Sequence, residues 1–379
     1  MTVANPNPLY ALHQQAQAEF QPYGALEIVS TFGEPQAEYA AIRKSCGLID
    51  QPQRALVELT GPDRLTFLNN LLTNQTYDKQ TKSPIPAGSA VYAFLLDAKT
   101  GRIKLDLHVL ELGERTLLEL DRRLVDVLLP VLERYLFAEK VKMIDRRDEL
   151  HQIALHGPGA PALVNEALDT ALIGLDRPGT CAAGRMLGHD VLVWRDDVCA
   201  VPGLHVILPT ETAGKMWMHL ITRFGSSDDP GARRLRPVGW AAFNATRVEA
   251  STALFGIDFD DQTLPAETGA LLDKAVSFTK GCYPGQEVVA RMHARGQVAR
   301  QIVGVRMTGD ALPLAGAQVL EAQDNVIGVV TSSTISPVLS NAAICLATVK
   351  RPHFAEGTEL RIPAEGAIRD CIAVKTPFL

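Results

Sequence analysis

The sequence predicts an α+β fold that ends in a β-rich domain, and two observations carry this prediction. A strand, a Gly-Pro turn and a helix follow one another in ALVELTGPDRLTFLNNLLTNQ, and the same plan returns in IALHGPGAPALVNEAL. From about residue 298 onward, short apolar strands alternate with turn residues, which is typical of a small β-barrel or sandwich. At 379 residues the chain exceeds a single core of roughly 250 residues, so more than one domain is expected.

The other elements follow from the spacing of apolar residues, three to four in helices and two in strands. Helices are expected between residues 8 and 46, where ALHQQAQAEF and AEYAAIRKSC carry apolar residues at mixed helical spacing. Beyond the first strand, turn and helix, the predicted order is three strands in AVYAFLLDAKTGRIKLDLHVLELGERTLLEL, a helix in RRLVDVLLPVLERYLF, the repeated unit, strands in DVLVWR and GLHVILP, and a helix in AGKMWMHLITRF.

We expect the domains to follow the order of these elements. Two diverged α+β lobes, at about 45–145 and 150–240, are completed by residues 241–297 into one region that spans 1–297. Residues 298–379 form the β-barrel domain, with strands expected in QIVGVRM, GAQVLEA, NVIGVVTSS, AAICLATV, TELRIP and CIAVKT.

Composition and charge exclude two classes of partner. With 46% hydrophobic and 21% charged residues, the chain can bury a sizeable core. The formal net charge of −6 gives no overall attraction to nucleic acid or to an anionic membrane, and no apolar run reaches the ~20 residues of a membrane helix. MTVANPNPLYALHQQAQAEF lacks the positive and apolar regions of a secretion signal, so we expect a cytoplasmic protein.

The six cysteines are widely spaced and include no CxxC pair, which matches neither a zinc site nor a disulfide framework. We therefore expect free thiols and no bound metal. Most should be small buried hydrophobic residues, as the apolar neighbours of Cys345 in AAICLATV indicate. Cys282 differs from the others, because it lies in the segment KGCYPGQEVVAR.

Positive charge is concentrated around Cys282. The stretch from 280 to 306 has a local balance of +4, with Glu287 as its one acid and five bases, Lys280, Arg291, Arg295, Arg300 and Arg306. Nearby cations and the amino terminus of a helix favour a thiolate, and QEVVARMHAR after the Pro284-Gly285 turn predicts a helix start. Cys282 is the best candidate for a reactive thiol, and a buried turn cysteine beside a solvated basic helix is the alternative.

A second candidate site lies in NATRVEASTALFGIDFDDQTLPAETG. Arg247 and Glu249 alternate there, which on an extended strand would place both side chains on one face. A carboxylate beside an arginine suits a ligand with neighbouring donors and acceptors, and a surface ion pair is the alternative interpretation. The acids around Asp258 lack the glycine and the distal glutamate of a calcium loop, so we expect a solvated turn.

Taken together, these segments resemble the glycine cleavage T-protein superfamily, the folate-dependent aminomethyltransferases, and within it the YgfZ-type branch. The resemblance spans roughly residues 40 to 375 and keeps the family order of motifs. Its most specific motif is KGCYxGQE followed by VAR, which marks the YgfZ-type branch. The residues of that motif here are Lys280, Gly281, Cys282, Tyr283, Gly285, Gln286, Glu287 and Arg291.

The resemblance implies a three-lobed aminomethyltransferase-like folate-binding body with a C-terminal β-barrel, and tetrahydrofolate or a derivative as cofactor. Glu249 falls where the superfamily's carboxylate binds the pterin ring, and Arg247 precedes it by the usual two positions. The transferases carry two adjacent aspartates on the second hairpin strand, whereas Lys104-Leu105-Asp106 keeps at most one. Asp106 is then the remaining hairpin carboxylate for the folate site. Ser251 also replaces a family glycine shortly after Glu249.

Two principal functions follow from the resemblance. The first is a tetrahydrofolate-binding accessory factor for assembly or repair of iron–sulfur proteins, with Cys282 as its reactive residue and iron–sulfur enzymes or cluster-assembly proteins as partners. The second is one-carbon transfer between tetrahydrofolate and an aminomethyl or N-methyl donor, with Asp106 as the acid/base group. A folate-sensing protein in which Cys282 is dispensable is a third possibility.

Overall fold

Most predicted helices are present in the computed structural model, which describes residues 7–225, 234–296 and 298–379. The α-helices of these residues are α1 (Tyr10–Gln15), α2 (Pro35–Lys44), α3 (Arg64–Leu71), α4 (Val125–Arg134), α5 (Ala160–Ala167), α6 (Ala213–Leu220), α7 (Trp240–Glu249), α8 (Leu271–Ala275) and α9 (Gln286–Arg295). Pro35 opens α2 at a position where its missing N–H costs no hydrogen bond. None of these helices is both long and apolar enough to span a membrane.

The strands of the described residues follow the predicted apolar runs. They are β1 (Glu19–Tyr23), β2 (Leu26–Thr31), β3 (Gly47–Asp50), β4 (Arg54–Thr60), β5 (Tyr77–Asp78), β6 (Ser83–Pro84), β7 (Ala90–Leu96), β8 (Ile103–Glu111), β9 (Arg115–Asp121), β10 (Lys142–Asp145), β11 (Leu150–His156), β12 (Thr180–Met186), β13 (His189–Arg195), β14 (Gly203–Pro209), β15 (Arg236–Pro237), β16 (Arg300–Met307), β17 (Gln318–Leu320), β18 (Val326–Ser336), β19 (Ala342–Lys350), β20 (Glu359–Ala364) and β21 (Ala367–Val374).

The predicted repeat of a strand followed by a helix is confirmed, as β4 with α3 and β11 with α5. The prediction of helix through residues 8 to 46 is wrong in its middle. There β1 and β2 form an antiparallel hairpin between α1 and α2. Pro22 and Gly24 disfavour a helix, and the β-branched residues of LEIVST favour a strand.

The chain divides into two compact units. The predicted domain bounds, 1–297 and 298–379, stay a prediction, and Gln297 lies outside the described residues. The first unit takes Met1–Leu68, Thr76–Tyr92 and Leu107–Phe243. The second takes Asn69–Gln75, Ala93–Asp106 and Asn244–Leu379. The hairpin of β7 and β8 therefore has its turn in the second unit, although both strands begin or end in the first.

The first unit is built on two sheets. One has the strand order β12-β13-β14-β11-β3-β15, and the other has the order β10-β4-β9-β8-β7. Apolar side chains from both sheets form one core cluster that includes Leu56, Leu117, Leu192 and Ile207. A second cluster packs α5 and α6 on the six-stranded sheet, through residues such as Leu163.

The second unit contains a closed barrel with the strand order β16-β19-β18-β17-β20-β21, which confirms the predicted C-terminal β-barrel. Alternate residues of these strands point inward, so Val305, Cys345 and Ile362 are fully buried in its core. Val248 of α7 packs against Ile344 and Leu346 of β19. This contact fixes the end of α7 on the barrel wall, because apolar burial holds both elements together.

Candidate functional site

The segment around Cys282 lies against the β7–β8 hairpin in the second unit. The hairpin is closed at its turn by a hydrogen bond from Asp97 N to Arg102 O of 2.8 Å. A Cβ added to Gly285 would lie 2.9 Å from the carbonyl oxygen of Asp97, and one added to Gly101 would lie 2.7 Å from Cβ of Val288. The turn at Gly285 and the turn of the β7–β8 hairpin, which are distant in sequence, are therefore closely packed.

Of the signature residues before α9, Cys282 is exposed and its neighbours hold the turn. Lys280 is buried, donates a hydrogen bond to the backbone oxygen of Asn69, and lies 4.7 Å from the ring centroid of Tyr283. Burial also raises the pKa of Tyr283 to about 12, so its phenol stays neutral. The turn, with Gly281 at φ +102°, thus presents the Cys282 thiol to solvent.

The described cysteines match the sequence analysis, because all six are free and Cys282 is the exposed one. The remaining signature residues lie on α9, where Gln286 and Glu287 form the first turn and Arg291 is exposed. A glutamate in the first turn is favourable beside the positive end of the helix dipole. The predicted helix start after Gly285 is confirmed.

The β7–β8 hairpin carries three carboxylates, and Asp106 and Asp97 lie nearer its turn than Glu111 does. Asp106 lies on β8 between two buried leucines and is 9% exposed. Asp97 occupies the turn, where hydrogen bonds from the Thr100 backbone and hydroxyl lower its pKa to about 2. Lys104 lies 3.3 Å from the Asp97 carboxylate. Asp97 thus closes the turn, and Asp106 is the more enclosed carboxylate.

The structure corrects the interpretation of Arg247 and Glu249. Both lie at the end of α7 and not on a strand, and residues two positions apart on a helix point in different directions. All five N–H groups of Arg247 donate to protein acceptors: two to Asn244 Oδ1, one to Thr252 O, one to Asp258 Oδ2 and one to Ser332 Oγ. No donor of Arg247 is left for a ligand.

The expectation of a solvated turn is wrong for Asp258, because this residue is only 3% exposed. It accepts hydrogen bonds from Thr331 and Ser332 of β18 at 2.7 and 2.6 Å, and Arg247 Nη1 lies 2.5 Å from its second oxygen. This buried ion pair fastens α7 to the barrel.

Glu249 is fully buried and accepts a hydrogen bond of 2.5 Å from the hydroxyl of Ser336. Its backbone oxygen accepts from Phe378 N at 3.2 Å. A pterin-binding role for Glu249 stays a prediction.

Sequence reasoning missed a group of polar side chains inside the first unit, which we call the interior polar cluster. Its members are Gln51, His108, Glu119, Gln152, His156, Trp194, Asp196 and His205. The amide of Gln152 donates to Gln51 Oε1 at 2.7 Å and lies within 3.3 Å of Glu119 and His205. The indole of Trp194 stacks on His205 with ring centroids 4.2 Å apart.

Charge within the interior polar cluster is balanced around His108. This ring lies 3.1 Å from Glu119 and 3.2 Å from Asp196. Burial alone would lower the pKa of His108, but the two carboxylates outweigh burial and raise it. Burial likewise opposes ionisation of Glu119, whose pKa is nevertheless lowered by Arg54 and His108. The cluster is therefore a charged network, held by Arg54 Nε at 2.5 Å from Glu119.

Two histidines of the interior polar cluster have ring nitrogens without a hydrogen-bond partner among the described residues. These atoms are Nδ1 and Nε2 of His156 and Nε2 of His205. Burial lowers the pKa of His156 to about 4 and that of His205 to about 3, so both rings are neutral at pH 7. Leaving a buried polar atom unpaired costs roughly 1–3 kcal/mol, which a water or a polar ligand would offset.

The neutral rings predict acid sensitivity. Because the folded-state pKa of His156 lies below the unfolded value of about 6.5, its contribution to stability is complete above that pH and is lost as the pH falls toward 4. The wild-type protein should lose unfolding free energy between pH 7 and pH 5. In His156→Leu we expect that loss to be smaller by about 1.5 kcal/mol. Urea unfolding at both pH values measures it, with His189→Leu as control. An unchanged pH dependence in His156→Leu would contradict the prediction.

One sequence signal could have revealed the cluster. Strands LHQIALH and GLHVILP are buried along most of their length, yet each carries polar residues in the middle of an apolar run. A glutamine or histidine at such a position must form its hydrogen bonds inside the protein, so it indicates a polar interior.

Among the described residues, no three His, Cys, Asp or Glu side chains are grouped to hold a metal ion.

Comparison with known proteins agrees with this architecture. The family model described as the GCVT N-terminal domain matches residues 9–280, and the glycine cleavage T-protein C-terminal barrel domain matches residues 300–379. The chain is 27% identical to an aminomethyltransferase of Chloroherpeton thalassium over 98% of both chains. It is 28% identical to one of Thermosynechococcus vestitus, over 98% of this chain and 94% of the relative.

A solved structure shows the same fold. The glycine cleavage system aminomethyltransferase T of Bartonella henselae superimposes with a TM-score of 0.84 at 24% identity, covering 98% of this chain and 97% of that one. The two family models together take in both the α+β region and the barrel. The chain therefore belongs to the glycine cleavage T-protein family.

Proposed function

We propose that this protein binds tetrahydrofolate and takes part in one-carbon transfer. The observation that carries the proposal is the end-to-end similarity to proteins named aminomethyltransferase, which extends over 98% of the chain. When bound, tetrahydrofolate supplies the ring nitrogens that carry a one-carbon unit. The chain's own residues would bind the pterin, exclude water and move a proton.

The interior polar cluster fits the pterin ring better than Glu249 does. A pterin edge carries both N–H donors and acceptors, and the cluster offers amides at Gln51 and Gln152 and an unpartnered nitrogen at His205. Trp194 adds an aromatic face beside them. Glu249, by contrast, offers a single carboxylate that already accepts a hydrogen bond from Ser336.

Two variants separate these locations by isothermal titration calorimetry with tetrahydrofolate. His205→Phe keeps the ring stacked on Trp194 but removes both nitrogens, and we expect it to weaken binding about tenfold or more, the effect of losing one or two polar contacts. Glu249→Gln should leave the affinity unchanged. If Glu249→Gln weakens binding and His205→Phe does not, the pterin site lies at Glu249. If neither variant changes the affinity, both locations are excluded.

Asp106 is the acid/base group of this proposal. Its position on a rigid β-strand, with little exposure, suits a carboxylate that must hold one orientation. We expect Asp106→Asn to reduce turnover of an aminomethyl or N-methyl donor by about 10²–10⁴-fold while folate affinity stays within a few-fold. Asp273→Asn, an exposed change in the same unit, is the control. Wild-type turnover in Asp106→Asn would show that Asp106 is not the acid/base group.

A second candidate function is the YgfZ-type one, an accessory factor for iron–sulfur proteins. The specific observation in its favour is the exposed Cys282 thiol, which the surrounding KGCYPGQE residues hold in a turn instead of burying it. A solvent-exposed thiol on a structured turn can reach a partner protein, whereas the other cysteines cannot.

The role of Cys282 can be tested in a strain that lacks this protein. Under the second candidate function, Cys282→Ser should abolish rescue of iron–sulfur enzyme activity, and the neighbouring change Thr279→Ala should rescue fully. Under one-carbon transfer without a thiol step, both variants should rescue alike. Folding of each variant is checked by circular dichroism, and Ser is close enough in size that we expect no loss of structure at this exposed position.

A further inference from the structure

Four strand ends of the first unit meet around a small cavity that neither candidate function uses. β4 and β11 begin there, and β9 and β14 end there. The cavity has a volume of about 180 Å³, enough for several water molecules. It is lined by Pro8, Pro52, Arg54, Arg122, Arg147, Asp148, Leu150, His151 and Thr210.

Three guanidinium groups line this cavity, and each is largely covered. The side chains of Arg54, Arg122 and Arg147 are 21%, 18% and 20% exposed. Arg122 Nη1 donates to the backbone oxygen of Arg147 at 2.5 Å, so these two arginines are fixed side by side. Asp148 is the one acid of the lining, and Glu119, Asp126 and Asp145 pair with Arg54 and Arg147 from outside it.

The carboxylates that neutralise the three arginines differ in exposure, and so in how strongly they compete with an anion. Asp148, which pairs with Arg122, is 80% exposed, whereas Arg147 is held both by Asp126, which is 76% exposed, and by Asp145, which lies 2.6 Å from its Nε and is 31% exposed. Ion pairs with such solvent-exposed acids contribute about 0–1 kcal/mol and rearrange readily. Arg54 is different, because both its Nε and its Nη2 bind the buried Glu119 at 2.5 and 2.7 Å. Arg122 is therefore the arginine most available to an incoming anion, whereas Arg54 and Arg147 are each held by two hydrogen bonds or more to carboxylates.

We propose that this cavity binds a small oxyanion, a phosphate or a carboxylate group, through Arg122. Planar guanidinium groups recognise the oxygens of both anions in pairs, and the low exposure of the wall strengthens each charge-assisted hydrogen bond. Thr210 also lines the cavity. The bound anion would displace the exposed carboxylate of Asp148 from Arg122.

Isothermal titration calorimetry at constant ionic strength tests the proposal, with inorganic phosphate in one arm and glutarate in the other. We expect saturable binding of at least one anion, and the tighter one identifies the ligand group. Arg122→Gln should weaken it about tenfold or more, as the loss of a charge-assisted hydrogen bond predicts. Arg185→Gln is the matched control, because that side chain is 62% exposed and lies on β12 outside the lining.

A second variant is expected to raise anion affinity, which a loss of folding could not do. Asp148→Asn removes the competing charge at a highly exposed position, so the fold should be unaffected and anion affinity should rise several-fold. The proposal is overturned if neither anion binds saturably. It is equally overturned if Arg122→Gln binds like the wild type, or if Asp148→Asn fails to tighten binding.

Discussion

Replacing Arg247 by leucine is expected to lower the free energy of unfolding by about 3–5 kcal/mol, the cost of leaving one partner of a buried ion pair alone. The change removes five hydrogen bonds and leaves the Asp258 carboxylate without its cation in a fully enclosed position. Urea unfolding followed by circular dichroism measures the effect. Arg306→Leu, which changes an exposed arginine of β16, should stay within about 0.5 kcal/mol of the wild type.

The double variant Arg247→Leu/Asp258→Leu separates charge from packing. Because neither charge is left unpaired, its destabilisation should be smaller than the sum of the single variants by about 1–3 kcal/mol. Additive losses would show that the pair acts through shape alone. A single Arg247→Leu variant as stable as the wild type would contradict the assignment of Arg247 to the interior of the fold.

Gly285→Ala is expected to cost about 2–4 kcal/mol and to displace the turn that carries Cys282. The φ of Gly285 is +82°, where a residue with Cβ pays about 1–2 kcal/mol. The added Cβ would also lie 2.9 Å from the carbonyl oxygen of Asp97, a backbone atom that cannot rotate away. Urea unfolding measures the loss, and the reaction rate of Cys282 with a thiol reagent reports the displacement.

The other end of α9 provides the control for this prediction. Gly296 also has a positive φ, +59°, but a Cβ there would meet no described atom within 4 Å. Gly296→Ala should therefore lower the free energy of unfolding only by the cost of a positive φ, about 1–2 kcal/mol. It should leave the reactivity of Cys282 unchanged. Equal effects of the two substitutions would show that the packing of Gly285 on the β7–β8 hairpin is not needed.

The fold could be predicted from the sequence because its strands and helices carry clear periods. β4 with α3 and β11 with α5 repeat one pattern, and the barrel strands from β16 to β21 are separated by turn residues. The hairpin of β1 and β2 was missed, since a helical pattern on both sides of it masked a short strand pair. Such short elements depend on neighbours in space that a local pattern does not contain.

The site was harder to predict than the fold. The motif around Cys282 predicted a reactive thiol before a helix; the helix is present and the thiol is exposed, while its reactivity stays a prediction. The alternation of Arg247 and Glu249 indicated a strand, whereas both residues lie on α7. Their contacts with Asp258 and Ser336 join segments far apart in sequence, which a local pattern does not contain. The interior polar cluster escaped notice because its members come from separate strands, so their proximity is a property of the sheets.

Calorimetric titration of the purified full-length protein with tetrahydrofolate tests the central claim most directly. We expect saturable binding to one site, weakened about tenfold or more by His205→Phe and unaffected by Glu249→Gln. Absence of saturable binding by the wild-type protein would contradict a folate-dependent function of either kind.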